Sequence, residues 1–242
     1  MSYATAASTA PAPPPPASDG YADLRRLMGL MIGDEKHTSS ATSTLDVLWV
    51  LYDRVLRVDP ARVDDDDRDR FLLSKGHGPM AYYAVLAAKG FIDEEALRTW
   101  VRYDSPLGLH PDRNLIPGVE ISSGSLGHGL PIAVGRALAL RARRNLRPRV
   151  FCLVGDAEFD EGTNSEAVVA AARLGLDALT AIIVDNQSSS LRWPGGIEQR
   201  FAVEGWAATT VDGRDHAALE AALTSPHPGV PLAVVAEVEK KE

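Results

Sequence analysis

A single cysteine, Cys152, stands among 242 residues. That excludes a disulfide within the chain and any thiolate metal cluster built from this chain alone. Its setting, Val150-Phe151-Cys152-Leu153-Val154, marks it as a small buried core residue. Basic charge is also short. The chain has 25 Lys and Arg against 33 Asp and Glu, for a formal charge of -8, and so lacks the surplus that nucleic-acid phosphates attract. No run approaches the roughly 20 apolar residues that cross a bilayer, and the N-terminus has no charged-then-apolar signal pattern. The expectation is a soluble, cytoplasmic protein with neither a nucleic-acid nor a membrane partner. What is present, 45% hydrophobic and 24% charged residues, suits one globular domain that buries its own core.

Residues 1–20 contain the run Pro13 to Pro16 among small polar residues, a composition too poor in apolar surface to order itself. They read as a disordered tail, with a single domain over 21–242. Apolar residues at spacings of three and four predict a helix over 45–58. The four carboxylates Asp64 to Asp67 read as a solvated turn rather than a cation site. A strand follows over 70–74, with helices over 80–89, 94–102 and 130–145. Beyond Pro148, strands over 150–154, 179–184, 207–211 and 231–238 alternate with helices over 166–174 and 216–223. Apolar strands separated by helices imply a three-layer α/β/α fold with a mostly parallel sheet. Ligands of such folds bind beyond the carboxyl ends of the strands.

Two of those ends carry oxygen-bearing side chains thirty residues apart, Asp156 in Gly155-Asp156-Ala157 and Asn186 in Asp185-Asn186. A carboxylate, an amide oxygen and a backbone carbonyl leave room for phosphate oxygens around an octahedral Mg²⁺. Gly155 lets the backbone approach phosphates, and a following helix would offer free amides.

This pair resembles the thiamine diphosphate motif Gly-Asp-Gly followed some 25 to 30 residues later by Asn, with Ala157 in place of the second Gly. Three further segments are similar to the transketolase family: Ser74-Lys75-Gly76-His77-Gly78, Gly108-Leu109-His110-Pro111, and Gly124-Ser125-Leu126-Gly127-His128-Gly129. The family's Gly-His-Pro-Gly stands here as Lys36-His37-Thr38-Ser39, with His37 nine residues before Asp46. His216 and His227 lie outside these segments and read as structural.

The resemblance, over about residues 22–239, implies the thiamine diphosphate-binding fold and a role as the N-terminal subunit of a split, two-component transketolase. The enzyme would transfer a two-carbon ketol unit from a ketose or ketose phosphate donor to an aldehyde or other acceptor. It implies thiamine diphosphate with Mg²⁺ or Ca²⁺ as cofactors. It also implies a partner, the C-terminal subunit carrying the pyrimidine domain and the activating glutamate, joined with this one in a heterotetramer. Asp156 and Asn186 would bind the metal through side chains and Ser188 through its carbonyl. Gly155 and His77 would contact the diphosphate, and Gly124 and Leu126 would present backbone to the aminopyrimidine. His37, His77 and His110 would bond donor hydroxyls and shuttle their protons, while Glu161 and Glu166 would join a carboxylate network at the subunit interface.

Other thiamine enzymes share such a domain, among them the α-subunit of a 2-oxoacid dehydrogenase and a deoxyxylulose phosphate synthase. The Ser-Lys-Gly-His-Gly segment argues against the first. A non-catalytic scaffold is the reading of a different class. A nicotinamide-binding domain is disfavoured, because no Gly-x-Gly-x-x-Gly follows a first strand.

Overall fold

The computed structural model describes residues 19–32, 41–191 and 193–239. Five strands, β1 (Arg70–Leu73), β2 (Val150–Gly155), β3 (Leu179–Asp185), β4 (Ala207–Asp212) and β5 (Leu232–Glu237), form one sheet in the order β1-β2-β3-β5-β4. Every neighbouring pair is parallel. All carboxyl ends therefore open on one edge, where the candidate site lies.

The strands read as continuous apolar runs because both faces are buried. Phe71, Leu73, Phe151, Leu153, Ile182, Val184, Val234 and Ala236 face one core cluster. Leu72, Val150, Cys152, Val154, Ala181, Ile183, Ala233 and Val235 face the other. The strict alternation follows from the period of two along a strand. The first face is covered by α1 (Leu24–Met28), α2 (Leu45–Val50), α3 (Met80–Ala88) and α8 (His216–Leu223). The short α4 (Glu94–Leu97) adds Leu97 to that cluster. The second face is covered by α5 (Gly129–Ala142), α6 (Gly162–Arg173) and α7 (Gly196–Val203). The expected three layers are present.

Several boundaries differ from the sequence expectation, each for a local reason. The helix expected over 45–58 is α-helical only to Val50 and continues as a π-helical turn, Leu51–Val55, closed by the Leu56 amide on the Leu51 carbonyl at 2.7 Å. The helix expected over 94–102 stops at Leu97. Buried Trp100 donates from its indole to the Gly108 carbonyl at 3.2 Å, and Val101 turns at φ +58° with its amide on the Leu107 carbonyl. Helix α7 is absent from the sequence expectation because Gly195 and Gly196 suggest a loop, yet its buried Ile197 and Phe201 keep the i, i+4 spacing. Cys152 is fully buried, and burial pushes its thiol well up, as expected of a core residue. The Asp64–Asp67 turn is solvated, with Asp65 paired to Arg62 and Asp67 to Arg147. No helix among the described residues is long and apolar enough to cross a membrane.

Candidate cofactor site at the strand carboxyl ends

At the end of β2 the chain enters a 3-10 turn, Asp156–Asp160, before α6 begins at Gly162. The long helix thus starts six residues beyond Asp156, so the amides that directly follow Asp156 belong to the 3-10 turn. Asp156 is 1% exposed. Its Oδ2 accepts the amides of Ser188 at 2.5 Å and Ser189 at 2.9 Å, and its Oδ1 accepts the Ser188 hydroxyl at 2.6 Å. A carboxylate has about four lone-pair sites; these three bonds fill three of them, and the Asp185 carboxyl lies against the same group.

Asn186 is also buried, and its Oδ1 has no hydrogen-bonding partner. A buried acceptor left unsatisfied is costly, and a hard cation is the group that would satisfy it. The pairing of β2 with β3 sets Gly155 beside Val184, which brings the segments bearing Asp156 and Asn186 to adjacent positions on the edge. Asp185, one residue before Asn186, has its carboxyl pushed above the usual range, first by burial and further by the Asp156 charge and a hydrogen bond to it, against the Gln187 amide bond. A bound cation would relieve that repulsion. Among the described residues no cluster of three His, Cys, Asp or Glu side chains could hold a metal. A cation held here would need the mixed set expected from the sequence, a carboxylate, an amide oxygen and a carbonyl, which suits Mg²⁺ or Ca²⁺ rather than a soft metal.

The upstream loops meet at the same edge. The His77 and His110 rings lie edge to face with centroids 5.3 Å apart. Gly76 and Gly124 pack against this pair: a Cβ on Gly76 would sit 2.8 Å from the Gly124 nitrogen, and one on Gly124, at φ +122°, would sit 3.0 Å from the His110 ring. The Lys75 methylenes cover Gly155, where a Cβ would approach them to 3.2 Å. Leu126 is 39% exposed beside this site, with Glu161 and Glu166 exposed at the start of α6. His128 is exposed before α5. His37 lies outside the described residues. His216 is a structural partner of Asp46 at 2.8 Å, and His227 pairs with the Val230 carbonyl at 2.8 Å.

Three participants are not evident from the sequence. Ser74 and Glu158 bond to each other at 2.6 Å. Asp160 accepts the Ser189 hydroxyl at 2.7 Å, the Ser190 hydroxyl at 2.6 Å and amide at 2.8 Å, and the Leu191 amide at 3.3 Å. Burial works against the Asp160 charge, but the Ser190 and Ser189 bonds outweigh it and hold the carboxyl below its usual value. The loop after β3 is thus pinned to two carboxylates of one turn. Asp160→Asn replaces an accepting oxygen with a donor facing donors. It should speed amide exchange at Ser190 and Leu191 by about tenfold, as the loss of about 1.4 kcal/mol from a hydrogen-bond set implies. Hydrogen exchange read by mass spectrometry checks it, and unchanged protection contradicts the tether. Because the folded pKa is depressed, the tether is present above the ordinary aspartate value of 3.8 and is lost as pH falls through the lower folded value.

Comparison with known proteins gives the family. The family described as transketolase, thiamine diphosphate binding domain, matches residues 31–235. A relative from Rhodococcoides fascians bearing the name ferredoxin fas2 is 57% identical over 93% of this chain and 74% of its own length. With one cysteine in the present chain, no four-thiolate set for an iron–sulfur cluster exists in the matched part. One subunit of the apulose-4-phosphate transketolase of Actinobacillus succinogenes is 36% identical over 84% of this chain and 76% of its own length. Among solved structures, a Pichia stipitis transketolase complex with fructose 6-phosphate superposes with a TM-score of 0.77 at 24% identity, over 91% of this chain and 36% of the other. The chain therefore spans little more than a third of that transketolase. With a family match over most of its length and a curated relative of this identity and coverage, the chain belongs to the transketolase family, as its thiamine diphosphate-binding domain.

Proposed function

We propose that this chain is the diphosphate-binding subunit of a two-component transketolase that moves a two-carbon ketol unit from a ketose donor to an acceptor carbonyl. The observation that carries the reading is the buried, unsatisfied Asn186 Oδ1 just beyond the end of β3, the strand beside β2 and Asp156, at the edge where the Gly76 and Gly124 loops meet. The Actinobacillus relative, and one from a Clostridium species named for 6-deoxy-6-sulfo-D-fructose, are named for ketose substrates and as single subunits of divided enzymes. That supports a ketose donor and a separate partner here.

In this reading Asp156, Asn186 and the Ser188 carbonyl would hold Mg²⁺ or Ca²⁺, whose charge would offset that of the diphosphate. Thiamine diphosphate, when bound, supplies the nucleophilic carbon and the electron sink for breaking the bond next to the donor carbonyl. The chain's own residues bind and orient. His77 takes a diphosphate or donor oxygen, while the Gly155 backbone allows close approach, its amide being held by Glu158 at 2.8 Å. Gly124 and Leu126 turn backbone toward the aminopyrimidine. His110, packed on His77, bonds donor hydroxyls and carries their protons, with His37 as the third such histidine. Imidazole suits this task because its pKa lies near neutrality. Exposed Leu126 and Leu109 exclude water once covered. The partner supplies the pyrimidine domain and activating glutamate, with Glu161 and Glu166 facing the interface in a two-plus-two heterotetramer. Of the tail expected over 1–20, residues 1–18 lie outside the described residues, and Asp19 and Gly20 open a 3-10 turn, Asp19–Asp23.

Calorimetric titration of thiamine diphosphate with Mg²⁺, into this chain alone and mixed with the co-encoded candidate partner, tests the reading. Tight binding in the mixture is expected, followed by ketose cleavage rather than 2-oxoacid decarboxylation. Association with the partner but no cofactor binding in either sample would make the chain a scaffold and overturn the proposal.

A further inference from the structure

The turn after β2 carries an acidic side chain at every second position, Asp156, Glu158 and Asp160. A 3-10 helix has three residues per turn, so alternate residues point about 120° apart. Asp156 and Asp160 reach the loop after β3. Glu158 turns the other way and is 1% exposed.

The surroundings of Glu158 consist of donors. Its Oε1 accepts the Ser74 hydroxyl at 2.6 Å and the Gly127 amide at 3.0 Å, and its Oε2 accepts the Gly155 amide at 2.8 Å. The Ser74 oxygen in turn accepts the Gly129 amide at 3.0 Å. The one hydroxyl hydrogen of Ser74 is therefore committed to Glu158. Two segments distant in sequence, the end of β1 and the loop before α5, converge on this carboxylate, which also holds the end of β2 three residues before it. Each of the three carries an expected cofactor contact within three residues of its bond to Glu158: His77 after Ser74, Leu126 before Gly127 and Asp156 after Gly155.

We propose that Glu158 is a positioning residue for cofactor binding, its carboxylate fixing the three loops in the spacing that thiamine diphosphate requires. The inference rests on the function proposed above and extends it to a residue that touches neither metal nor diphosphate. Only a group that accepts on both sides satisfies this shell. Glutamine has nearly the same shape, but its NH₂ must face either the Gly155 amide or the Ser74 and Gly127 pair, setting donor against donor. Burial raises the cost of such a mismatch.

The test uses the chain together with its partner. Glu158→Gln should weaken thiamine diphosphate binding about 10- to 100-fold, the range for outer partners of a bound metal, while the melting temperature moves by only a few degrees. The cofactor KM should rise by more than kcat falls, because saturating cofactor pulls the loops back into place. Glu158→Asp, which keeps the charge on a shorter stem, should recover part of the affinity. Ser74→Ala removes one hydroxyl without adding bulk and should weaken binding in the same direction. The double variant Glu158→Gln with Ser74→Ala should lose less than the sum of the two, because the residues share one network. Cofactor affinity within about twofold of wild type in Glu158→Gln or Ser74→Ala, or strictly additive losses, would overturn the proposal while the wild type still binds. Failure of the wild-type complex to bind cofactor sinks the function itself, and the proposal with it.

Discussion

Asp156→Asn is expected to remove cation-dependent thiamine diphosphate binding and leave the fold standing. The substitution is nearly isosteric, and its hydrogen bonds can be conserved. The amide oxygen can face the Ser188 and Ser189 amides, while its NH₂ donates to the Ser188 oxygen, which as a hydroxyl can reverse its role. What is lost is the charge, which a hard divalent cation needs from the one carboxylate in the expected donor set. Outer partners of a metal site cost about 10- to 100-fold when mutated, and a direct ligand should cost at least the upper figure. Calorimetry with thiamine diphosphate and Mg²⁺, beside a thermal melt, separates the two effects. Undiminished affinity would remove Asp156 from the metal site, whereas a collapsed melting temperature would mean that the carboxylate serves the fold.

The layers are legible in the sequence, because a buried strand announces itself by composition. Val150 to Val154 and Leu179 to Val184 are apolar at nearly every position, as strands covered on both faces must be. The strand-end acids follow from the topology, since parallel strands place their carboxyl ends together. Helix α7 is hidden by Pro194 and Gly195, turn residues that here precede a helix rather than replace it, and by Gly196, which opens it. The helix expected over 94–102 fails because Trp100 is held by the Gly108 carbonyl, a bond formed only once the following loop closes. Glu158 is invisible for the same kind of reason. Its donors stand as far as 84 residues away, and in sequence it is one more carboxylate in an acidic turn. Local pattern reveals periodicity and turn chemistry; it does not reveal which distant amides will meet a side chain.

Gly129→Ala is expected to have the largest effect on stability. Gly129 opens α5, and a Cβ there would lie 2.2 Å from the Ser74 Cβ, 2.4 Å from its Oγ and 2.7 Å from its Cα. The nearest atoms sit on or beside backbone, so no flexible side chain can swing away. The start of α5 would have to lift off the end of β1, breaking the bond from the Gly129 amide to Ser74 and disturbing the one from Ser74 to Glu158. Overpacking of this kind costs about 1–3 kcal/mol, and a buried polar group left unpaired costs a similar amount. Together they lower the melting temperature by about 5–20 °C for a domain of this size. Gly135, in the same helix, supplies the contrast. A Cβ there meets nothing within 4 Å, and Gly is worse than Ala in a helix by about 0.8–1.0 kcal/mol. Gly135→Ala should therefore raise the melting temperature by about 2–4 °C. If both alanines moved the melting temperature in the same direction, helix propensity rather than the close approach of α5 to Ser74 would govern this helix. The packing that brings Gly127 and Ser74 to Glu158 would then be looser than these distances describe.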